Sequence, residues 1–312
     1  MKACMDQSEL DLLHDGQNSL GEGVLWCERS QQVYWTDIHA ARLHACHPGS
    51  GAHGEWTMPE RLCCFALTAD ENVLLLGLES GLAFFNLQTR VLLPICDVEA
   101  DLPTTRINDG RCDRQGRFVF GTLDEAPRRQ AIGSFYRLNH DLTLERLPLP
   151  KVAISNSICF SPDGGAMYFC DSVVKTIYRW DAYASGDASA ISVFTDLAGG
   201  QASPDGSTVD ADGHLWNAQW GAARVVRYTP AGQAECMLHL PVSQPSCICL
   251  GGADLNDLFV TTAQESLSPD MLAGEPLAGG LFHTRLDGVR GLPEVRFGAA
   301  PPAAVATVIA TR

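Results

Sequence analysis

Four oxygen-bearing side chains stand at one repeated position of the sequence, eight residues before a turn. The turn residues are Ser30, Gly116, Gly164 and Gly213. Counting back eight residues from these turns reaches Glu22, Asn108, Asn156 and Asp205. We call this shared position the slot. If the four turns belong to copies of one structural repeat, the slot residues occupy equivalent places in each copy.

Two carboxylates and two amides that converge on one small volume repel each other and lose their hydration unless a cation lies among them. Oxygen donors without Cys or His favour a hard divalent ion. We therefore expect one Ca²⁺ ion, with Mg²⁺, Mn²⁺, Zn²⁺ or Fe²⁺ as alternatives. About three protein ligands would leave positions open for water or substrate.

The slot residues could also be ordinary parts of turns. Taken alone, residues 108–110 are typical of a hairpin turn, and residues 203–206 repeat the letters of 161–164, which we assign to a turn. The spacing separates these two copies, because Asp163 directly precedes its turn glycine while Asp205 lies eight residues ahead of the next one.

The elements that would position the slot are six copies of a repeated pair of strand-like runs. The pairs are 33–37 with 42–45, 73–77 with 81–85, 118–121 with 134–138, 167–171 with 176–180, 215–217 with 224–228, and 258–261 with 280–285. The copies begin about 40 to 50 residues apart, a spacing typical of four-stranded propeller blades. The sequence therefore predicts an all-β, six-bladed β-propeller that spans residues 1–312 as one domain and has a central metal-containing channel.

Closure of such a ring commonly requires one chain terminus to add a strand to the blade made by the other, since an open sheet edge invites aggregation. We expect residues 8–14 to pair with the last blade. The role of residues 301–312 stays open at this point.

Composition excludes some partners and indicates a compartment. The formal net charge is −15, and the chain has lysine only at positions 2, 151 and 175, so a basic face for nucleic acid is not expected. No apolar run of the kind found in a signal peptide or membrane span occurs, which predicts a cytoplasmic protein without a membrane partner. In that compartment the 12 cysteines are expected to be mostly reduced, buried thiols. The sequence leaves the oligomeric state open.

Four motifs in order along the chain resemble the gluconolactonase family, which includes regucalcin and luciferin-regenerating enzyme. The motifs occupy residues 20–26, 106–110, 155–164 and 203–213. The resemblance implies a six-bladed propeller whose metal is held by Glu22, Asn156 and Asp205. It also implies that Arg106 and Asn108 bind a sugar substrate.

The same resemblance implies a substrate-binding carboxylate after the Gly-Thr pair at 121–122. Simple counting places Ala126 there, with Asp124 and Glu125 just before it. We predict Glu125 as the substrate-binding carboxylate, with Asp124 as the alternative.

These residues suit the hydrolysis of an aldonolactone of the gluconolactone, galactonolactone or pentonolactone type to its aldonic acid. A metal can polarise the lactone carbonyl and acidify a bound water. Asp205 is the predicted general base, because this carboxylate could contact both metal and water. Arg106 offers planar donors to hydroxyls or lactone oxygens, and Asn108 could bind a hydroxyl. For Trp220, packing in the core is favoured over a place in the pocket wall.

Two other classes of function stay open. One is a non-catalytic calcium-binding or protein-interaction propeller, and the other is a propeller esterase or phosphotriesterase with a different substrate. A serine esterase is disfavoured because the sequence has no Gly-x-Ser-x-Gly motif.

Overall fold

The computed structural model describes residues 10–306 of the 312-residue chain. These residues form six four-stranded antiparallel sheets. Blade 1 contains β2 (Gly21–Cys27), β3 (Gln32–Asp37), β4 (Arg42–Cys46) and β5 (His53–Thr57); blade 2 contains β6 (Leu62–Leu67), β7 (Val73–Leu78), β8 (Gly81–Asn86) and β9 (Leu92–Asp97); blade 3 contains β10 (Thr105–Cys112), β11 (Phe118–Asp124), β12 (Phe135–Leu138) and β13 (Leu144–Arg146).

The remaining blades repeat this order. Blade 4 contains β14 (Ser155–Phe160), β15 (Met167–Asp171), β16 (Thr176–Trp180) and β17 (Ile191–Asp196); blade 5 contains β18 (Ser203–Val209), β19 (Leu215–Trp220), β20 (Arg224–Tyr228) and β21 (Ala234–His239); blade 6 contains β22 (Pro245–Gly251), β23 (Asp257–Thr262), β24 (Leu281–Arg285) and β1 (Asp11–His14). The predicted six-bladed β-propeller is confirmed, and each predicted pair of runs forms the second and third strands of a blade.

Helices are few and short. In the described part of the chain they are the 3₁₀ turn Ala188–Ala190, α1 (Pro269–Gly274) and α2 (Ala303–Ala306). Within residues 10–306, no helix has the length and apolarity needed to cross a membrane.

The inner strands of each blade are buried because neighbouring blades cover both of their faces. All residues of β7 and β8 in blade 2 are buried, which explains their continuous apolar runs. Trp35, Trp180 and Trp216 are among the large side chains buried between blades. Among residues 10–306, ten cysteines are free thiols and nine of these are buried, so the prediction of reduced thiols holds for these ten.

In blades 3, 4 and 5 the turn that follows the innermost strand contains a left-handed glycine. Gly116, Gly164 and Gly213 have φ angles of 77°, 71° and 80°, which glycine adopts without a steric cost. In blade 1 the left-handed residue is Gln31, with φ 53°, rather than Ser30. The count in blade 1 is therefore one residue short, because no glycine marks this turn in the sequence.

The ring closes in two ways. Each innermost strand packs against the innermost strands of the two adjacent blades, and β22 of blade 6 packs against β2 of blade 1. The N-terminal strand β1 pairs with β24, with Asp11 opposite His283 and Leu12 opposite Phe282. The predicted closure is thus confirmed for residues 11–14; residue 10 precedes the strand, and residues 8 and 9 lie outside the described residues.

The C-terminal segment covers the end of the ring where the innermost strands finish. The carbonyl of Arg290 accepts a hydrogen bond from Ala211 N (2.8 Å), and Phe297 N donates to the carbonyl of Leu67 (2.8 Å). Further along, Asn86 Nδ2 donates to the carbonyl of Val305 (2.8 Å). The segment therefore ties blades 5 and 2 together on the side opposite the slot.

Candidate functional site

A cavity of about 370 Å³ opens where the innermost strands begin. Its wall includes five of the six predicted site residues, namely Glu22, Arg106, Asn108, Asn156 and Asp205. The innermost strands of blades 1, 3, 4 and 5 supply these five side chains. The sixth residue, Glu125, is placed differently and is described below.

A β-bulge lies at the slot in each of these four blades. The register shifts fall between Glu22 and Leu25, Ile107 and Gly110, Asn156 and Cys159, and Pro204 and Ser207. Glu22 and Asn156 are the last paired residues before the shift, whereas Asn108 and Asp205 lie just inside it. A bulge frees residues from the ladder and redirects their side chains. The four slot residues therefore do not all occupy the same register position in their blades; their positions differ by one residue.

The carboxylate of Asp205 has an oxygen without a partner. The residue is only 6% exposed, and among the described residues no group donates a hydrogen bond to Oδ1. Its backbone is held firmly, because the Asp205 carbonyl accepts from Ser157 Oγ (2.6 Å) and Asn217 Nδ2 (3.0 Å). A buried carboxylate oxygen left unpaired is costly, so this geometry suits a site for a cation.

The side chain of Asn156 is oriented from two sides. Its Nδ2 donates to Ser172 Oγ (3.1 Å), and Ser172 Oγ donates to the carbonyl of Pro204 (2.7 Å), next to Asp205. Its Oδ1 accepts from Asn108 Nδ2 (3.1 Å). These bonds leave a lone pair of Oδ1 for a ligand, and they link the amide to the strand that carries Asp205.

Asn108 connects its neighbours rather than presenting free amide hydrogens. Besides the bond to Asn156, its Nδ2 donates to the carbonyl of Ser155 (2.8 Å), and its Oδ1 accepts from Arg106 Nη1 (2.8 Å). Both amide hydrogens are therefore used within the protein.

Three acidic residues of this site, Glu22, Asp109 and Asp205, are close enough to affect one another. Burial, and after it the carboxylate of Asp109, raises the pKa of Glu22 to about 8. Burial, followed by the charges of Glu22 and Asp109, raises the pKa of Asp205 well above its ordinary range. Buried carboxylates of this kind favour ionisation only when an opposite charge joins them.

Glu22, Asn156 and Asp205 suit a hard divalent cation because all three offer oxygen. The strongest support for such a cation is that the buried Oδ1 of Asp205 has no hydrogen-bond partner among the described residues. The third donor is an amide, so the set contains only two acidic residues. The described part of the chain contains no cluster of three or more His, Cys, Asp or Glu residues arranged for a metal.

The guanidinium of Arg106 lies beside this group and is 5% exposed. Its Nε donates to Glu125 Oε1 (3.0 Å), and its Nη1 donates to Asn108 Oδ1 and to the carbonyl of Ile107 (2.9 Å). Within residues 10–306, Nη2 makes no hydrogen bond to the protein. Its two hydrogens are thus the ones that Arg106 can offer to a bound molecule.

Glu125 does not line the cavity and lies next to it, bonded to two arginines, so its predicted contact with a substrate stays a prediction. Arg61 binds both of its carboxylate oxygens, at 2.7 and 2.6 Å, in addition to the bond from Arg106. Although burial opposes it, hydrogen bonding from Arg61 and the charge of Arg106 lower the pKa of Glu125 to about 2. The neighbouring Asp124 accepts from Ala126 N and Gln130 N and so shapes its own loop.

The cavity wall also contains residues that the sequence did not indicate. Glu265 follows β23 in blade 6, and its Oε1 is hydrogen-bonded to His39 Nε2 (3.2 Å). Hydrogen bonding from His39 lowers the pKa of Glu265. Arg129, Ser172 and Lys175 lie in the wall as well. These residues come from loops or from positions outside the slot, where no repeated spacing marks them.

Trp220 lies at the end of β19 and has both of the roles considered for it. It lines the cavity, and it also packs against an apolar cluster of the core. Core packing, which the sequence favours, therefore does not exclude a place for Trp220 in the cavity wall.

Comparison with known families and proteins gives consistent matches. The family model described as "SMP-30/Gluconolactonase/LRE-like region" matches residues 20–264. The L-arabinolactonase of Azospirillum brasilense is 50% identical over 291 residues, which is 93% of this chain and 96% of that protein. The 6-deoxy-6-sulfogluconolactonase of Pseudomonas putida is 33% identical and covers 89% of this chain and 94% of its own length.

Among solved structures, a calcium-binding protein, regucalcin, from Agrobacterium tumefaciens superposes with a TM-score of 0.88 and 31% identity. The superposition covers 95% of this chain and 99% of that chain. Both chains therefore have the same fold over nearly their whole length.

Proposed function

Because this chain belongs to the SMP-30/gluconolactonase/LRE-like family, we propose that it hydrolyses a sugar lactone to its aldonic acid with the help of one divalent cation. The family resemblance indicated by the four sequence motifs is confirmed by this match. The observation that carries the cation proposal is the unpaired, buried Oδ1 of Asp205, a residue that lines one cavity together with Glu22 and Asn156.

The class of enzyme has the firmest support. Relatives that cover most of the chain are named L-arabinolactonase and 6-deoxy-6-sulfogluconolactonase, and a lactonase is a hydrolase of cyclic carboxylic esters. The predicted enzyme class is thereby confirmed. For the substrate we propose a pentonolactone, and L-arabinolactone before others, since the relative of that name is 50% identical.

Glu22, Asn156 and Asp205 would hold the cation, for which we propose Ca²⁺, the ion that oxygen donors of this kind bind readily. When bound, the cation would polarise the lactone carbonyl and lower the pKa of a bound water. The protein's own contribution is to fix these three donors. Ser172 and Ser157 do so by bonding to the side chain of Asn156 and to the backbone of Asp205.

Asp205 is the proposed general base because its side chain lines the cavity and its second carboxylate oxygen would remain for a proton when Oδ1 binds the cation. It would accept a proton from the attacking water as the water oxygen bonds to the lactone carbonyl carbon. The ring C–O bond then breaks, and the same proton passes to the leaving ring oxygen, which yields the hydroxy acid.

Arg106 would orient the substrate through the two Nη2 hydrogens that the protein leaves free, by donating to ring hydroxyls or to the lactone oxygens. Asn108 is then a support for Arg106 and Asn156. It retains one lone pair on Oδ1 for a substrate hydroxyl, while both of its amide hydrogens are used within the protein.

A proton-release assay tests the proposal with L-arabinolactone, xylonolactone, galactonolactone and gluconolactone. The protein is first treated with a chelator and then supplied separately with Ca²⁺, Mg²⁺, Mn²⁺, Zn²⁺ or Fe²⁺. We expect chelation to abolish turnover and at least one cation to restore it. The enzymatic proposal fails if no lactone opens faster than its spontaneous rate with any of these cations.

Asp205→Asn tests the role of the base, because asparagine keeps an oxygen for the cation but cannot take a proton. We expect kcat to fall by about 100-fold or more. Asp163→Asn is the matched control, since Asp163 stands in an identical Ser-Pro-Asp-Gly string but is exposed and bonded to Ser161 in a turn. This control should change kcat by less than about twofold. Full turnover in Asp205→Asn with the cation still bound would remove Asp205 from this role.

A further inference from the structure

Arg61 binds two carboxylates at once at the edge of the candidate site. Its Nε and Nη2 donate to the two oxygens of Glu79, at 2.7 and 2.8 Å. Its Nη1 and Nη2 donate to the two oxygens of Glu125, at 2.7 and 2.6 Å. Two paired contacts of this kind fix the plane of a guanidinium, which a single hydrogen bond does not.

The second carboxylate carries this constraint to Arg106. Glu125 Oε1 accepts from Arg61 and also from Arg106 Nε (3.0 Å). An unbroken series of hydrogen bonds therefore runs from Glu79 in blade 2 to Arg106 in blade 3. It continues through Asn108 to Asn156, a proposed ligand of the cation.

From this geometry we infer that Arg61 is a positioning residue, which holds Glu125 so that Arg106 presents Nη2 to the substrate. The inference rests on the proposed function and deepens it, since it identifies what orients the substrate-binding arginine. Arg61 is not part of the cavity wall and acts through Glu125 and Arg106.

The charges of the neighbouring residues explain why a positively charged side chain is needed at position 61. Without Arg61, the charge of Arg106 alone would face the carboxylates of both Glu79 and Glu125. The pKa values of these two carboxyls are both lowered, and for Glu79 the hydrogen bonds from Arg61 are the largest cause. Glu125 would then keep only the bond from Arg106, and its side chain, which is 34% exposed, could turn toward solvent.

Stability accounts less well for the same contacts. The side chains of Arg61, Glu79 and Glu125 are 23%, 38% and 34% exposed, and ion pairs with this much solvent access contribute little to the free energy of unfolding. A purely structural role would thus lower stability slightly and leave the kinetics unchanged. A positioning role predicts that kcat/KM falls while stability changes little.

A double-mutant cycle with L-arabinolactone tests the inference. We expect Arg61→Met to lower kcat/KM about tenfold, mostly through a higher KM, with little change in Tm. In an Arg106→Met background, the same substitution should change kcat/KM by less than about twofold, because its target is already absent. Arg61→Lys should restore little, since an ammonium cannot bind two carboxylates in this paired geometry.

Two further variants serve as controls. One tests whether the effect of Arg61→Met comes from misfolding, and the other tests whether removing any arginine has the same effect. Glu79→Gln weakens the paired contact between Arg61 and Glu79. It should lower kcat/KM by a smaller factor than Arg61→Met does. This variant keeps Arg61 and therefore tests the inference even if Arg61→Met folds poorly. Arg285→Met removes an arginine whose ion pair with Asp254 is exposed, and it should leave the kinetics unchanged. Equal losses on Arg61→Met with and without Arg106 would overturn the inference.

A readout without turnover separates this inference from the proposed function. The Nε–H group of Arg106 gives an NMR signal that Arg106→Lys identifies by its disappearance. We expect Arg61→Met to speed hydrogen exchange at this group about tenfold or more, because the bond to Glu125 loosens. An unchanged exchange rate overturns the positioning role even if the wild type opens no lactone, and a faster rate supports it in the same case.

Discussion

The two carboxylates of the candidate cation site impose a cost on the metal-free protein at neutral pH. Glu22 titrates with a pKa of about 8 because it is buried and lies near Asp109, whereas its ordinary value is 4.5. Between these two pH values the folded protein holds a proton that the unfolded chain has released. Stability must therefore fall as the pH rises through this range, the reverse of the usual behaviour of a paired carboxylate.

We predict that the chelated protein loses stability between about pH 4.5 and pH 8, and that Ca²⁺ restores it at the upper end. In chelator, Glu22→Gln should be more stable than the wild type at pH 8, since the buried charge is gone. With Ca²⁺ present it should gain less stability than the wild type, because a ligand is missing. Urea unfolding at both pH values, with and without Ca²⁺, measures these differences.

The matched control for this prediction is Glu71→Gln, which removes an exposed glutamate on a turn of blade 2. Its stability should follow that of the wild type at both pH values. If Glu22→Gln proves less stable than the wild type in chelator at pH 8, the proposed electrostatic strain is wrong.

How far the site could be predicted differs from residue to residue. Glu22, Asn108, Asn156 and Asp205 were accessible from the sequence because a repeat makes spacing informative. Arg61 was not, since its partners lie 18 and 64 positions away in the chain and only the packing of blades 2 and 3 brings them together.

At the scale of the strand, the bulges determine where the slot side chains are directed. Ser157 follows Asn156 within the bulge of β14 and has φ 60°, a left-handed conformation that is uncommon for serine. The equivalent residue after Glu22 is Gly23, with φ 59°. Serine is held in this conformation by its bond to the carbonyl of Asp205 and by the bond that it accepts from Ser207 Oγ (3.1 Å).

We predict that Ser157→Gly is more stable than Ser157→Ala by about 1 kcal/mol, although alanine is closer in size to serine. Both substitutions remove the hydroxyl and its hydrogen bonds, so both should be less stable than the wild type. Only glycine relieves the left-handed backbone. Urea unfolding of the three proteins gives the comparison, and an alanine variant at least as stable as the glycine variant would contradict the assigned conformation.

Strand prediction succeeded where turn chemistry was explicit. Runs 167–171, 176–180 and 224–228 match strands of the structure residue for residue. The turn of blade 1 did not follow the count, because Gln31 rather than a glycine takes the left-handed position. The β-bulges could not be predicted either, because an extra residue in a strand does not change the pattern of apolar residues in a recognisable way.

At the scale of the whole ring, the N-terminal and C-terminal segments both help to hold the ring closed, but they contact different blades. The strand β1 completes blade 6, and the segment after Leu286 ties blades 5 and 2 together beneath the ring. The first contact could be predicted because an open propeller leaves a sheet edge. The second could not, because residues 289–298 form irregular structure whose backbone bonds have no periodic pattern.

Three histidines meet at the outer seam between the last blade and the first. The ring of His14 in β1 stacks on that of His53 in β5, with centroids 4.3 Å apart, and His53 Nε2 lies 3.2 Å from Nδ1 of His44. His44 is also stacked on Trp35 and is 5% exposed. Burial, followed by repulsion from His53, lowers the pKa of His44 to about 4.

This seam makes closure of the ring sensitive to acid. The unfolded chain binds a proton at His44 near pH 6.5, whereas the folded protein binds it only near pH 4. Stability should therefore fall as the pH drops from about 6.5 to about 4, by up to about 3 kcal/mol from this group alone. His44→Gln should flatten that dependence, while His239→Gln, an exposed histidine in blade 5, should preserve it. Unfolding free energies across this pH range provide the measurement, and an unchanged pH dependence in His44→Gln would show that other groups govern the acid sensitivity of the ring.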